Sequence, residues 1–197
     1  MSTESKRICV FCGANPGGDP GFAAAASQLG RAIAAAGHEI VYGGGRVGLM
    51  GILADAALSE GGRVTGVITQ ALIDREVGHD RVTELIVTDS MHTRKAAMAN
   101  RADGFIALPG GFGTLDEVIE ILTWNQLGSI AKPVAFVDLG GYFVNLFRFF
   151  DDAVAGGLIR PEHRAMAQRA STVQEAMAIA TGPAPASPSK WTDPTVR

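Results

Sequence analysis

Short apolar runs alternate along this chain with longer segments whose apolar residues recur at helical spacing, and that alternation predicts the elements and their arrangement. Runs at 7–12, 38–42, 63–69, 83–88, 104–108 and 133–138 read as strands. Helical patterns fill 22–36, 47–60, 91–101, a stretch opening at 114, 142–155 and 173–181. The pattern is plainest after Thr114. There Leu115, Val118, Ile119 and Leu122 form an i, i+3, i+4, i+7 stripe, leaving Asp116, Glu117 and Glu120 off the core side. Punctuation agrees: Gly37 and Gly61-Gly62 follow the first two helices, Asp89 or Ser90 can cap the third, and Ser171 with Gln174 can cap the last. Residues 70–81 show no regular period. Strands and helices in turn, with short connections, make an α/β fold: a mostly parallel sheet with helices on both faces. Residues 1–181 are expected to form one domain, with the Pro/Ala/Ser-rich 182–197 as a mobile tail.

Composition narrows the function classes. The 197 residues are 47% hydrophobic, ample for a buried sheet, and the net charge of −3 comes with no Lys/Arg block. Nucleic acid is therefore not an expected partner. No apolar run approaches the ~18–20 residues of a membrane span, and no apolar signal region follows residues 1–7, so a cytoplasmic protein is expected. Cys9 and Cys12 have C-x-x-C spacing but lie within the first strand, where residues three apart face opposite sides. With no second pair they read as core thiols rather than a metal or redox site.

Chemistry concentrates in three stretches, each just beyond a strand. In Leu108-Pro109-Gly110-Gly111-Phe112-Gly113-Thr114-Leu115-Asp116-Glu117, a strand ends in a glycine turn and a helix begins. Glycines let the backbone approach an anion, and the first free N–H groups of the helix point at it. Gly110, Gly111, Gly113 and Thr114 are the candidate phosphate ligands. A carboxylate near that phosphate needs a reason. Glu117 either completes a Thr114-x-x-Glu117 capping box or acts on another part of the ligand.

The second stretch, Gly43-Gly44-Gly45-Arg46-Val47-Gly48, matches G-x-G-x-x-G. A dinucleotide fingerprint should follow the first strand and be answered by an acid ending the next. This match follows the second strand, and the third ends in Val67-Ile68-Thr69, so the dinucleotide reading fails. It remains either a tight turn or a second glycine rim at the carboxyl edge of the sheet, where open α/β sheets bind ligands. The third stretch, Ser90-Met91-His92-Thr93-Arg94-Lys95, opens a helix with two cations that oppose its dipole and so call for an anionic partner, unless they simply end a solvated helix.

Together and in this order, Tyr42 through Gly51, Ser90 through Lys95 and Pro109 through Glu117 resemble the LOG ("Lonely Guy") family of cytokinin riboside 5′-monophosphate phosphoribohydrolases. The likeness runs from about Ile8 to Arg160 and includes Leu122-Thr123-Trp124-Asn125-Gln126-Leu127. It implies a Rossmann-like three-layer fold, a homodimer, and hydrolysis of the N-glycosidic bond in adenosine 5′-monophosphates, plain or N6-modified, to free base and ribose 5-phosphate. By position, the family's functional Arg and Glu fall on Arg94 and Glu117. The candidate substrate-binding set is Gly43, Gly44, Gly45, Met91, Arg94, Lys95, Gly110, Gly111, Gly113 and Thr114. No metal and no cofactor are expected. Many relatives carry a lysine decarboxylase label, but no pyridoxal-binding lysine stands out among Lys6, Lys95, Lys132 and Lys190. The competing reading is a non-catalytic nucleotide or cofactor carrier on the same fold. Apolar residues in excess of one stripe (Met91, Met98, Ile119, Ile121, Leu122, Trp124, Leu127) also suggest a subunit contact.

Overall fold

The computed structural model describes residues 4–75 and 78–186. The expected mobile tail lies, from 187 onward, outside the described residues. The strands are β1 (Arg7–Phe11), β2 (Glu39–Tyr42), β3 (Arg63–Thr69), β4 (Glu84–Thr88), β5 (Gly104–Ala107), β6 (Val134–Val137) and β7 (Ala167–Ala170). The helices are α1 (Pro20–Ala35), α2 (Gly48–Ser59), α3 (Gln70–Ile73), α4 (Met91–Arg101), α5 (Phe112–Gln126), α6 (Val144–Ala155), α7 (Pro161–Arg164) and α8 (Val173–Thr181), with a 3₁₀ turn at Leu139–Gly141.

All seven strands are parallel, in the order β4-β3-β2-β1-β5-β6-β7. This is a Rossmann-like α/β sheet. Strand alternation sorts its side chains into two cores. Ile8, Val10, Ile40, Tyr42, Ile106 and Val137 pack with α1, α2 and α8, while Cys9, Phe11, Val41, Phe105 and Phe136 pack with α4, α5 and α6. Cys9 and Cys12 fall in opposite cores, both buried and both free thiols, as strand geometry requires. The chain changes direction across the sheet between β1 and β5, so the loops after these strands diverge and leave a crevice at their carboxyl ends. Among the described residues no helix is long and apolar enough to cross a membrane.

Four local expectations change. β7 reads AQRA, with no apolar run, because it pairs on one side only at the edge of the sheet. One-turn α3 occupies part of the aperiodic 70–81 stretch. α5 starts two residues early: Gly111 takes the N-cap position without a side-chain bond, which puts Thr114 inside the helix and removes the Thr114–Glu117 capping box. Glu117 thus sits in the second turn, not the first. At α8 the cap moves by one residue. Thr172 accepts from the Glu175 N–H, and the Glu175 carboxylate accepts from the Ser171 N–H, where Ser171 and Gln174 were expected.

Candidate active site

The three predicted stretches meet at the carboxyl ends of the strands, around a cavity of about 580 Å³, well within the range of small-ligand sites. At one end stand the β5–α5 turn and the start of α5. Gly110, Gly111, Gly113 and Thr114 all line this end. Gly110 can only be glycine: a Cβ there would lie 2.1 Å from the Thr114 hydroxyl oxygen and 2.9 Å from the Gly13 nitrogen. The β1–α1 loop closes against the same turn, the Gly13 N–H donating to the Pro109 carbonyl at 3.1 Å. The first N–H groups of α5 have no carbonyl a turn earlier to bond, so this end is a ready anion site.

Arg94 and Glu117 both line the cavity and form an ion pair, Nη1 to Oε1, at 3.2 Å. Both are largely buried, with side-chain exposures of 7% and 12%. α4 and α5 stand on the same face of the sheet, which is what brings the two residues together. The cation that opposes its own helix dipole finds its partners across the fold. Nε donates to the Val67 carbonyl at 2.9 Å and Nη2 to the Gly43 carbonyl at 3.2 Å. A Cβ at Gly43 would lie 2.2 Å from Nη2, so a larger residue there would displace the guanidinium. Burial pushes the Glu117 carboxyl above its ordinary range, Arg94 opposing and Asp116 adding to the shift. The result is a carboxylate poised to hold or release a proton closer to neutrality.

Lys95 does not line the cavity. It turns along α5 to pair with Asp116 at 3.1 Å and Glu120 at 3.2 Å. Burial opposes its charge, but those two partners outweigh burial and raise its pKa. Gly44 also lies outside the lining. Its carbonyl accepts from the His79 N–H at 2.9 Å, and a Cβ would meet Ile68 at 3.0 Å. Gly43, Gly45 and Met91 do line the cavity. Met98 and Ile121, expected as spare apolar surface, are core residues, and the exposed large side chains at these two helix starts are Met91 and Phe112.

Sequence reasoning missed other parts of the wall, among them Asn15, Phe22, Asp116 and Tyr142. A signal exists for Tyr142: it follows two glycines directly after a strand, the same punctuation as the other rims. Cys12 also borders the cavity, but burial first and Glu117 second push its thiol far up, which removes it as a nucleophile. No group of three or more potential metal ligands is assembled among the described residues.

The family model described as "Possible lysine decarboxylase" matches residues 50–179. The chain is 48% identical to the "Probable cytokinin riboside 5′-monophosphate phosphoribohydrolase LOGL9" of Oryza sativa subsp. japonica, over 81% of this chain and 70% of that protein. It is 45% identical to the cytokinin riboside 5′-monophosphate phosphoribohydrolase LOG7 of Arabidopsis thaliana, over 86% of this chain and 78% of that one. Among solved structures, the molybdenum cofactor carrier protein of Chlamydomonas reinhardtii superposes with a TM-score of 0.67 at 25% identity, covering 89% of this chain and 95% of that one. The decarboxylase description finds no lysine at the cavity. Lys6 donates to the Thr181 carbonyl, Lys132 to the Ala99 carbonyl and Lys95 to its two carboxylates, while Lys190 lies outside the described residues.

Proposed function

Since this chain belongs to the LOG family of cytokinin riboside 5′-monophosphate phosphoribohydrolases, we propose that it hydrolyses the N-glycosidic bond of adenosine 5′-monophosphates, N6-modified ones included. The products are the free base and ribose 5-phosphate. One observation carries the reading: a buried carboxylate–guanidinium pair, 3.2 Å apart, shares a cavity with a glycine turn at a helix start. The 5′-phosphate sits on the N–H groups of Gly110, Gly111, Gly113 and Thr114, and that remote anchor holds C1′ beside Glu117. As the C1′–N9 bond breaks, its electron pair leaves with the base and positive charge builds on the ribose, as in glycoside hydrolysis. The Glu117 carboxylate stabilises that charge and takes a proton from the water that bonds to C1′; that proton passes on to the departing base, which restores the carboxylate. Arg94, fixed by two carbonyls, aims Glu117 and opposes part of the upward shift that burial imposes on its carboxyl.

The opposite end of the cavity is apolar, with Leu49, Met50, Ile68, Leu72 and Met91 along it, and this supports acceptance of an apolar N6 substituent on the base. The two free thiols fit a reducing, cytoplasmic setting. A homodimer is the assembly we assign, with exposed Met91 and Phe112 near its contact. The carrier reading uses the phosphate turn equally well but gives no work to Glu117. The test is direct: incubate the protein with AMP, isopentenyladenosine 5′-monophosphate and adenosine, and separate the bases by chromatography. Free base from both monophosphates, with kcat/KM at least ~10-fold above adenosine, is expected. Nucleotide that binds yet stays intact would leave the carrier reading standing instead.

A further inference from the structure

A backbone turn binds phosphate only when its carbonyl oxygens face away from the anion and its N–H groups face it. Three consecutive carbonyls, at 109–111, have to be turned back here, and each has its own donor. The Gly13 N–H holds the Pro109 oxygen at 3.1 Å, and the Leu115 N–H holds the Gly111 oxygen at 3.1 Å. The Gly110 oxygen is held by the Tyr142 hydroxyl at 2.6 Å. In a trans peptide the C=O and the following N–H point opposite ways, so fixing the Gly110 carbonyl fixes the direction of the Gly111 N–H. Two of these tethers are backbone groups that the fold supplies whatever the sequence. The middle one depends on a side chain.

That side chain is itself held. Tyr142 ends the Leu139–Gly141 turn, whose Gly140 and Gly141 adopt φ of 58° and 81° and swing the chain back from β6 over the end of β5. The turn is braced by Asp138, which accepts the Phe143 N–H at 2.7 Å and pairs with Arg169. Edge-on contacts with Phe143 (centroids 4.9 Å apart) and with Phe22 (5.3 Å) fix the ring. Phe22 belongs to α1, so Tyr142 joins the ends of β1, β5 and β6 at the cavity rim.

We propose that Tyr142 is a positioning residue for the 5′-phosphate, its hydroxyl holding the Gly110 carbonyl out of the anion site. The proposal rests on reading that turn as the phosphate site. It assigns Tyr142 a share in discriminating phosphorylated ligands from unphosphorylated ones, with no part in the bond-breaking step.

Tyr142→Phe removes the hydroxyl and keeps the ring contacts. Calorimetric titrations of ribose 5-phosphate and of adenosine into wild type and variant read the effect without any turnover. One hydrogen bond at a half-exposed position predicts ribose 5-phosphate affinity lower by about 3- to 10-fold, adenosine affinity unchanged, and for AMP a KM raised by the same factor with kcat within about twofold. Equal weakening of both ligands would make Tyr142 merely a wall of the cavity, and unchanged ribose 5-phosphate affinity would remove the tether; either overturns the proposal. If wild type released no base from any nucleotide, the hydrolase reading would fail, yet the two titrations would still decide the tether. Wild type that bound adenosine but not ribose 5-phosphate would sink the tether outright. A lowered Tm in the variant does not blur the outcome, because the readout is a ratio of two ligands on one protein.

Discussion

Glu117→Gln separates the catalytic account of this residue from a structural one. Were the Arg94–Glu117 pair there for stability, breaking it would cost about 3–5 kcal/mol, a Tm drop of about 6–20 °C for a chain of this length. The geometry argues for far less. Arg94 keeps the Val67 and Gly43 carbonyls, and the glutamine amide oxygen can still accept from Nη1. The raised Glu117 pKa gives the sign. The folded state holds that proton more tightly than the unfolded chain does. The group's contribution to stability is therefore fully present below its unfolded pKa and is lost as pH rises through the raised folded one. Ionising the buried carboxylate is therefore a net cost to the fold, and the neutral amide removes it.

The expected result is a Tm within about 3 °C of wild type, or higher, together with turnover reduced by at least ~10²-fold. Differential scanning fluorimetry from pH 4 to 8 checks the linkage: the wild-type Tm should fall relative to the variant as pH rises past the ordinary carboxylate value of 4.5. The acidic limb of wild-type kcat/KM should lie above that same value. A large Tm loss with near-normal kcat would refute the reasoning and make Glu117 a structural anion, with Glu120 the next carboxylate to examine.

Arg94→Lys should lower kcat/KM by ~10²-fold or more, because one ammonium cannot serve Val67, Gly43 and Glu117 at once; steady-state kinetics at or near the wild-type rate would contradict this. Gly43→Ala drives a Cβ to 2.2 Å from Nη2 and should cost at least ~10-fold in kcat/KM by displacing the guanidinium. Lys95→Met should lower Tm by roughly 2–6 °C, through loss of its two partners, while kcat/KM stays within about fivefold. A collapse of nucleotide affinity would instead restore Lys95 to the binding site. Light scattering at micromolar concentration should give about twice the 20.5 kDa chain mass, and a purely monomeric result would remove the dimer.

What lies within a few residues in the sequence was legible in it. The strand–turn–helix alternation sorts apolar positions by period, so the parallel sheet, its two helical faces and the opposite facing of Cys9 and Cys12 follow from local geometry. The glycine turns were readable because such turns leave little room for a Cβ; one at Gly43 or Gly110 would lie 2.2 or 2.1 Å from the side chain of Arg94 or Thr114. The edge strand β7 was not readable, since pairing on a single side asks little of its side chains. Nor was the start of α5, where a glycine N-cap leaves no side-chain signature and Thr114 offers a false one.

The pairing of charges was decided by the tertiary structure alone. Arg94 and Lys95 are adjacent in the chain, and on a helix adjacent residues point about 100° apart. Which of them faces the cavity depends on how α4 is rotated against the sheet. Packing turned Arg94 inward to Glu117 and two backbone carbonyls, and Lys95 sideways to Asp116 and Glu120. The packing of α5 buries Glu117 beside Arg94, and burial is what raises the Glu117 pKa. Sequence spacing sets the residues that share an element; docking sets the charges that lose their water, and the chemistry proposed for this site depends on that loss.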